Sequence, residues 1–475
     1  MSQVPSSPAP ASARERMRPV DVAWLRMDEP DNLMQINAVF TLEGPADLER
    51  IRALIAARLL KVARFRQRVV EDGGRLWWEE DPDLDVARHV VATPLPAPGD
   101  EAAAQRLFGE FMAEPLDHAH PLWMIHVVDG FEGGTALFAR LHHAVGDGVG
   151  LMLVLLSLCD LDADGSAHDS HAAGRLADLF GGPAESMLAF RQLMDDVMPD
   201  TMRLLLTPVE ALRRTNPLVK AAGIVWGLLK LVGYLPDPKT SLKGPLVRAK
   251  RAAWTRPLPL DEVKDVARGL GCTINDVLGA TASGGLRRYL AREGALSESL
   301  VVRAAVPINL RPLEKMSELG NRFGLAFLGL PIGIADPRRR LAELKRRADR
   351  AKRSAEPLCV LGLLHAMGIV PPFLHRLVVR IFGAKATLVM TNVPGPRRTL
   401  YLAGRALLDM FFWVPESGHL GLGISIISYR GRVRLGFNSD AGLIPDPGAL
   451  IDGFYAEWEA MRALARSGRP DPVSA

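Results

Sequence analysis

The chain has 475 residues, of which 48% are hydrophobic and 24% charged, with a mean hydropathy of +0.08 and a formal net charge of +4. This length is too great for one ordinary hydrophobic core and predicts a globular protein of two domains. No uncharged apolar stretch clearly reaches the roughly 20 residues that a membrane-spanning helix needs, which argues against an integral membrane protein.

Basic residues are clustered at 243–256 and 338–353. Such clusters suit a phosphorylated cosubstrate or an anionic lipid surface, and no nucleic-acid-binding module accompanies them, so nucleic acid is not an expected partner. Residues 1–16 are rich in proline, serine and alanine and predict a disordered tail rather than a signal peptide. We therefore expect a cytoplasmic protein that contacts a membrane or lipid droplet from one side.

The cysteines lack the CxxC spacing of metal and redox sites and predict buried, reduced thiols at Cys159, Cys272 and Cys359. The spacing of His118, His120 and His126 is compatible with metal ligation, but no cysteine or acidic residue completes a site. The sequence therefore predicts no metal and no cofactor.

The first part of the chain alternates predicted strands and helices. Its first ordered element begins within residues 21–25. Alternating apolar residues predict strands at 35–42, 65–68, 76–80, 121–128 and 135–141, and helical spacing predicts helices at 46–62, 101–111 and 149–159. The glycines at positions 133 and 134 predict a hairpin that ends at residue 141.

His142 and His143 directly follow this hairpin, and a turn with Asp147 and Gly148 leads into the next helix. Such a turn presents an imidazole in a cleft, where the neutral ring, with an ordinary pKa of roughly 6.5, takes a proton from a hydroxyl. Asp147 is placed to support the turn and suits the N-cap of the helix, while Gly148 permits backbone angles that other residues resist. The structural alternative is a histidine pair that only ends a strand.

The second part begins with a polar loop at 160–173 and a helical region at 184–234. Within it, residues 218–235 are apolar apart from Lys220 and Lys230, and predict either an interfacial amphipathic helix or a helix packed between domains. Proline and basic residues at 236–259 indicate a crossover. Further helices are predicted at 260–270, 273–292, 337–354 and 446–466, and strands at 300–307, 323–331, 386–390, 420–429 and 433–437.

Several motifs together resemble one family. Residues 142–148 (HHAVGDG) match the HHxxxDG signature of acyltransferases with a chloramphenicol-acetyltransferase-like fold. The other motifs occur in the same order as in bacterial wax ester synthase/diacylglycerol acyltransferases: RPVD at 18–21 with Trp24, PLW at 121–123, Asn275 with Asp276, and TNVPGP at 391–396. The similarity extends from about residue 17 to residue 466, and the ordered set is more specific than HHxxxDG alone.

The resemblance implies an α/β fold with two chloramphenicol-acetyltransferase-like sandwich domains, mixed sheets, and the active site at their interface. We assign residues 17–200 to the N-terminal acyltransferase half and residues 257–468 to the C-terminal half. Between them, residues 201–256 are assigned to a helical, basic crossover segment.

The implied function is transfer of a fatty acyl group from acyl-coenzyme A to diacylglycerol, with long-chain alcohols as a second acceptor. By resemblance, His143 is the general base that later returns its proton to the coenzyme A thiolate, while His142 and Asp147 support its geometry. Acyl-coenzyme A is a cosubstrate, so no bound cofactor is expected. The residues expected at the substrate are Gly148, Asn275, Asp276, Asn392 and Gly395.

Three alternatives within the fold share the histidine motif. A peptide-synthetase condensation domain acts on another hydroxyl or amine and is accompanied by a carrier domain, for which this chain has no room. A dihydrolipoyl acyltransferase would carry the motif near its C-terminus, and a plant-type coenzyme A acyltransferase would show a DFGWG-like turn where NVPGP stands. A non-catalytic lipid-binding homologue is the alternative of another class, and the intact His143 and Asp147 argue against it.

Overall fold

A computed structural model of the chain describes residues 14–160, 162–163, 233–294, 296–311 and 319–467. In the first of these ranges the elements are β1 (Glu15–Arg16), α1 (Pro19–Arg26), β2 (Gln35–Leu42), α2 (Leu48–Arg58), β3 (Gln67–Asp72), β4 (Arg75–Glu80), α3 (Val86–His89), β5 (Val90–Ala92), α4 (Glu101–Met112), β6 (Trp123–Phe131), β7 (Gly134–His142) and α5 (Gly148–Leu156).

The later ranges contain β8 (Lys250–Trp254), β9 (Leu258–Pro259), α6 (Leu260–Gly269), α7 (Ile274–Arg292), β10 (Val302–Asn309), β11 (Phe323–Leu330), α8 (Pro337–Lys352), α9 (Glu356–Ile369), α10 (Pro372–Gly383), β12 (Leu388–Pro394), β13 (Tyr401–Leu402), β14 (Arg405–Trp413), β15 (Leu422–Tyr429), β16 (Arg432–Asp440) and α11 (Gly448–Ser467).

Two large sheets organise the molecule. The first has the strand order β13-β14-β2-β7-β6-β5, and the second has the order β11-β10-β12-β15-β16-β8, with β9 also paired to β16. Both are mixed: β5–β6, β10–β12 and β12–β15 are parallel, and the other pairs are antiparallel. Every residue of β2 and β7 is buried, so both faces of these strands are covered by other elements. The predicted α/β fold with mixed sheets is confirmed.

The two halves of the sequence do not correspond to the two sheets. Strand β14 comes from the C-terminal half but pairs antiparallel with β2 in the first sheet, so that Trp413 lies opposite Asn37. The larger hydrophobic core accordingly combines residues of both halves. This insertion ties the halves together, because the first sheet includes β13 and β14 from the C-terminal half.

Two assigned boundaries are corrected. Residues 1–16 were expected to be disordered, yet Glu15 and Arg16 pair with Trp78 and Trp77 of β4. The predicted helical crossover at 201–256 ends with a strand: β8 pairs with β16 and so belongs to the second sheet. Of the apolar stretch at 218–235, residues 218–232 lie outside the described residues. Within the part of the chain that is described, no helix is long and apolar enough to span a bilayer.

The thiols are unpaired, as predicted. Cys159 and Cys359 are buried, and burial raises the pKa of Cys159 to about 12. Cys272 differs from the prediction because it is only half-buried.

Candidate active site

The turn between β7 and α5 is fixed by backbone and side-chain hydrogen bonds. The amide of His143 donates to the carbonyl of Met34 at 2.7 Å, just before β2, so this residue is held against a neighbouring strand. Asp147 is the N-cap of α5, and its Oδ1 accepts from the amide of Gly150 at 2.9 Å. The predicted strand-turn-helix arrangement is therefore present, and its geometry is set by short-range contacts.

The His143 ring is buried in an aromatic stack. Its centroid lies 3.9 Å from that of Trp24 with an interplanar angle of 15°, and Phe323 packs at 5.4 Å from the other half of the chain. Burial lowers the pKa of His143 to about 3, because an imidazolium ion loses its hydration there. The ring is consequently neutral at pH 7, which is the protonation state that a general base requires.

His142 has different partners and does not face the same space. Its Nδ1 accepts the amide hydrogen of Ala144 at 3.0 Å, so the proton of the neutral ring resides on Nε2. That nitrogen lies 3.7 Å from Oδ1 of Asp28. Burial alone would raise the pKa of Asp28, but hydrogen bonds from His118 and His142 lower it below its usual value. His142 thus links the turn between β7 and α5 to the segment after α1.

Asp28, His118 and His142 have ligand atoms within 4.8 Å of one another, the spacing of a metal site. The hydrogen bonding of His142 argues against a metal ion here. Nδ1 already accepts a hydrogen bond, so the ring carries its one proton on Nε2, and Nε2 would have to lose that proton to bind an ion. The other two histidines considered from the sequence lie elsewhere: His120 Nδ1 is 3.0 Å from Asp81, and His126 Nδ1 is 3.1 Å from the hydroxyl of Thr93.

Asp147 joins the two halves of the chain beneath the site. Its Oδ2 accepts from Nη2 of Arg311 at 2.7 Å and from the amide of Arg322 at 3.1 Å. Both Asp147 and Arg311 are nearly inaccessible, with 4% and 1% of their surface exposed. Although Asp147 borders the cleft, protein donors already engage both carboxylate oxygens, so its contribution is positional.

The five expected substrate residues separate into two groups. Gly148 and Asn392 line the cleft beside His143. Asn275 accepts from Nδ2 of Asn392 at 2.5 Å and is not among the lining residues, so it reaches the cleft only through its partner.

The other two expected substrate residues have structural positions. Asp276 forms the capping box of α7 with Thr273 and is 2% exposed. Gly395 packs against the backbone at Ser428, where an added Cβ would lie 2.3 Å from the carbonyl oxygen. A glycine there is required by close packing, and neither residue borders the cleft.

Two connected cavities meet at Gly148. The larger is a cleft between the halves that contains about 800 Å³ of space, part of it open to solvent. It is lined by Trp24, Ile36, His143, Gly148, Asn309, Phe323, Thr391, Asn392, Phe412, Ser417 and neighbouring apolar residues. The smaller, of about 440 Å³, is apolar and is lined by Ala38, Phe40, Leu141, Leu151, Met152, Leu155, Met410, Phe411 and Ile427. Ile36, Gly148, Val393 and Phe412 line both cavities. The arrangement provides one imidazole in the wall of the larger cleft, which shares these residues with the smaller apolar cavity.

One residue at the site carried no individual signal in the sequence. Asn321 donates from Nδ2 to the backbone oxygen of His143 and to Oδ1 of Asp21, each at 2.9 Å. Burial raises the pKa of Asp21 to about 6, with the hydrogen bond from Asn321 opposing the shift. Asp21 and Trp24 belong to the motif at 18–24, near the start of the chain. The position of this motif in the sequence gave no indication that it contacts His143.

The position of His143 predicts an unusual titration. Because burial lowers its pKa from 6.5 to about 3, its contribution to stability is present above pH 6.5 and is lost as the pH falls from 6.5 towards 3. We expect the His143 ring to stay neutral at pH 5 in histidine-labelled NMR spectra, with the His143→Gln variant providing the assignment. Protonation of His143 in the folded protein with a midpoint at or above 6.5 would contradict the buried position.

Comparisons with known proteins identify the family of the chain. Residues 17–278 match a family model described as the wax ester synthase/diacylglycerol acyltransferase catalytic domain, and residues 319–462 match the C-terminal domain of the same family. A probable diacylglycerol O-acyltransferase of Mycobacterium tuberculosis is 29% identical over 466 residues, covering 94% of this chain and 96% of the relative. A putative diacylglycerol O-acyltransferase of the same organism is 30% identical over 408 residues, covering 82% and 83%.

Solved structures show the same fold at lower identity. The wax ester synthase/diacylglycerol acyltransferase from Marinobacter aquaeolei aligns with a TM-score of 0.66 and 20% identity, covering 95% of this chain and 100% of that one. The starter condensation domain of rhizomide synthetase aligns with a TM-score of 0.60 and 14% identity, covering 97% and 96%.

Proposed function

This chain belongs to the wax ester synthase/diacylglycerol acyltransferase family, and from that premise we propose that His143 is the general base of its acyl transfer to diacylglycerol and long-chain alcohols. The observation that supports this assignment is the neutral, buried imidazole in the wall of a largely apolar cleft that adjoins a second apolar cavity. A fatty acyl thioester and a lipid alcohol both need apolar space, and both must reach the same proton acceptor.

The proposed reaction needs no covalent enzyme intermediate, because a thioester is already activated. Nδ1 of His143 is inaccessible, so we assign Nε2 as the nitrogen that meets the substrate. The alcohol oxygen bonds to the thioester carbon while its proton passes to Nε2. When the carbon–sulfur bond breaks, the imidazolium returns that proton to the coenzyme A thiolate.

A buried imidazole with a depressed pKa suits a concerted transfer. A separate imidazolium ion is costly in this apolar stack, but here it forms beside the negative oxygen of the tetrahedral intermediate. The two charges stabilise each other, so proton transfer and carbon–oxygen bond formation proceed together.

We assign the smaller cavity to the fatty acyl chain and the larger cleft to the acceptor and the pantetheine arm. The smaller cavity is surrounded by side chains of β2, β7, α5 and β14, all of them apolar. A long acyl chain placed there would bring its thioester to Gly148 and His143.

The acceptor preference is tested by direct competition. We expect labelled palmitoyl-coenzyme A to yield triacylglycerol from dioleoylglycerol, with wax ester formed from hexadecanol in the same assay. Because no group of the proposed mechanism is a metal ion, turnover should be unchanged by EDTA. Acylation of a small phenol or amine but of neither lipid would refute the lipid assignment while leaving acyl transfer intact, and rescue of a chelated enzyme by zinc would refute the metal-free mechanism.

Filling the smaller cavity should shorten the acyl chains that are accepted. Ala38→Phe places a ring in that cavity, and each methylene excluded from it costs about 0.8 kcal/mol of burial. Excluding about two methylenes should lower kcat/KM for palmitoyl-coenzyme A roughly 15-fold relative to butanoyl-coenzyme A, which serves as the internal control. Equal losses for both substrates would indicate general damage and would contradict the assignment of this cavity.

We further propose that the protein meets its lipid acceptor at a membrane or lipid-droplet surface from the cytoplasmic side, with acyl-coenzyme A as a soluble partner and no nucleic acid. Diacylglycerol is almost insoluble in water, so an enzyme that acts on it must approach the lipid phase.

A further inference from the structure

The exposed apolar side chains of the described residues are concentrated on one element. Of the seven large hydrophobic residues that are exposed, five lie within residues 369–381: Ile369, Phe373, Leu374, Leu377 and Ile381. Phe373 is 63% exposed and Ile369 73%. Isolated apolar residues are common on surfaces, but a contiguous group of this size marks an interaction site.

Helical geometry places the four members on α10 together. At about 100° per residue, Phe373, Leu377, Ile381 and Leu374 lie within an arc of roughly 100°. Arg376 and Arg380 are exposed on the adjoining flank of the same helix. Within the described parts of the chain, no carboxylate lies within ion-pair distance of either guanidinium. The outward face of α10 therefore combines an apolar stripe with two positive charges that have no ion-pair partner among the described residues.

The inner face of α10 packs on the walls of the cleft. His375 is 1% exposed, and its Nε2 lies 3.2 Å from the carbonyl oxygen of Ala23, the residue before Trp24. At the other end, a Cβ added to Gly383 would lie 1.8 Å from the carbonyl oxygen of Gly418, which follows the cleft residue Ser417. One short helix thus contacts both the element that stacks on His143 and the loop that borders the cleft.

The sequence also bears on what covers this face. Leu235, 76% exposed, lies close to the end of α10, since Asp237 donates its amide to the carbonyl of Ala384. The apolar stretch at 218–232, which lies outside the described residues, contains Lys220 and Lys230 and no acidic residue. It therefore offers no charge that would neutralise Arg376 and Arg380, whereas an anionic lipid surface offers both the apolar phase and the negative charge.

We propose that the outward face of α10, with Ile369 before it, docks the protein on an anionic lipid bilayer beside the entrance for the lipid acceptor. Phe373, Leu377 and Ile381 enter the boundary between headgroups and acyl chains, and Arg376 and Arg380 contact lipid phosphates. The inference deepens the proposed function, on which it rests, and shifts the expected contact from residues 218–235 to α10.

Vesicle flotation tests the charge contribution. We expect binding to phosphatidylcholine vesicles that contain phosphatidylglycerol, weaker binding to phosphatidylcholine alone, and weakening as salt concentration rises. A basic residue at an anionic surface contributes roughly fivefold to the binding constant, so Arg376→Gln with Arg380→Gln should lower it about 30-fold. The matched control is Arg338→Gln with Arg350→Gln, the same charge change at exposed positions of α8, which should bind as wild type.

A second pair of variants tests the apolar stripe. Phe373→Ser with Leu377→Ser should abolish flotation, whereas Val247→Ser, an exposed apolar residue away from α10, should not affect it. Turnover on detergent-dispersed diacylglycerol should be unchanged in all variants. The two measurements test the two proposals separately. Wild-type flotation by the α10 variants refutes docking through α10, while absence of acyl transfer in the wild-type protein refutes the proposed function.

A fluorescent probe on α10 tests whether another part of the chain, or a second copy of it, covers the outward face of this helix. Leu377→Cys labelled with an environment-sensitive fluorophore should report water in solution and an apolar phase once anionic vesicles are added. A probe already shielded without vesicles would mean that residues 218–232 or a second copy covers the face, and light scattering distinguishes the two. Either result, or equal binding to neutral vesicles, would overturn the proposal.

Discussion

Replacing His143 with alanine is expected to lower kcat for acyl transfer by about 10²- to 10⁴-fold, the contribution of a positioned general base. This corresponds to about 2.7 to 5.5 kcal/mol of transition-state stabilisation. The remaining activity should come from holding the two substrates in the cleft. The measurement is steady-state turnover with palmitoyl-coenzyme A and dioleoylglycerol, normalised to the folded fraction from circular dichroism.

The His143→Ala substitution removes both a base and a stacked aromatic ring, so the control must distinguish the effect of losing the base from the effect of losing the stacking. His126 is also buried and stacked, with its ring 3.8 Å from that of Phe111, and burial lowers its pKa to about 3. It does not line the cleft, so His126→Ala should reduce stability and leave kcat of the folded protein near the wild-type value. If His143→Ala keeps more than about a tenth of wild-type turnover, His143 is not the base.

Replacing Asp147 with alanine should destabilise the protein by about 3 to 5 kcal/mol, because the buried guanidinium of Arg311 would lose this ion pair. Loss of the N-cap of α5 should add about 1 kcal/mol. Activity should fall in parallel, since the same carboxylate holds the turn that positions His143. Urea unfolding and turnover measured on the same preparations test the prediction.

A double-mutant cycle with Arg311 tests whether the ion pair is the cause. Arg311→Met in the Asp147→Ala background removes the buried guanidinium that has lost this ion pair and should recover part of the lost stability. The control is the buried pair of Lys250 and Asp440, 2.8 Å apart and outside the cleft. Asp440→Ala should lower stability without lowering kcat of the folded fraction. Additive effects of Asp147→Ala and Arg311→Met would refute coupling between these residues.

The features that the sequence determined are local. Strand β2 has the predicted bounds 35–42, and the helix after the histidine motif begins one residue before the predicted position. Asp147 caps α5 and Asp276 completes the capping box of α7, both within three residues of the amides that they accept from. Periodicity and capping depend on neighbouring residues, so they can be read from the chain. The order of the motifs also led to the family.

Contacts between distant residues were decided only by the tertiary structure. The stack of Trp24 on His143, the pairing of Arg311 with Asp147 and the insertion of β14 beside β2 each join segments more than one hundred residues apart. No local pattern records which distant partner a buried side chain takes, because many apolar partners satisfy the same burial. For that reason Asn321 was not identified in advance, and the sequence did not show that Asp276 caps α7 or that Gly395 packs against Ser428.

The orientation of α10 gives the clearest case of this division. Its sequence shows that one helix carries phenylalanine, leucine and isoleucine together with two arginines, and such a helix ordinarily turns its apolar stripe inward. Here the cleft walls occupy the opposite side, where His375 and Gly383 pack, and the stripe faces outward. The amphipathic character of residues 372–383 is contained in the sequence, although no helix was predicted there. Packing against α1 and the loop at Gly418 decided which side it exposes.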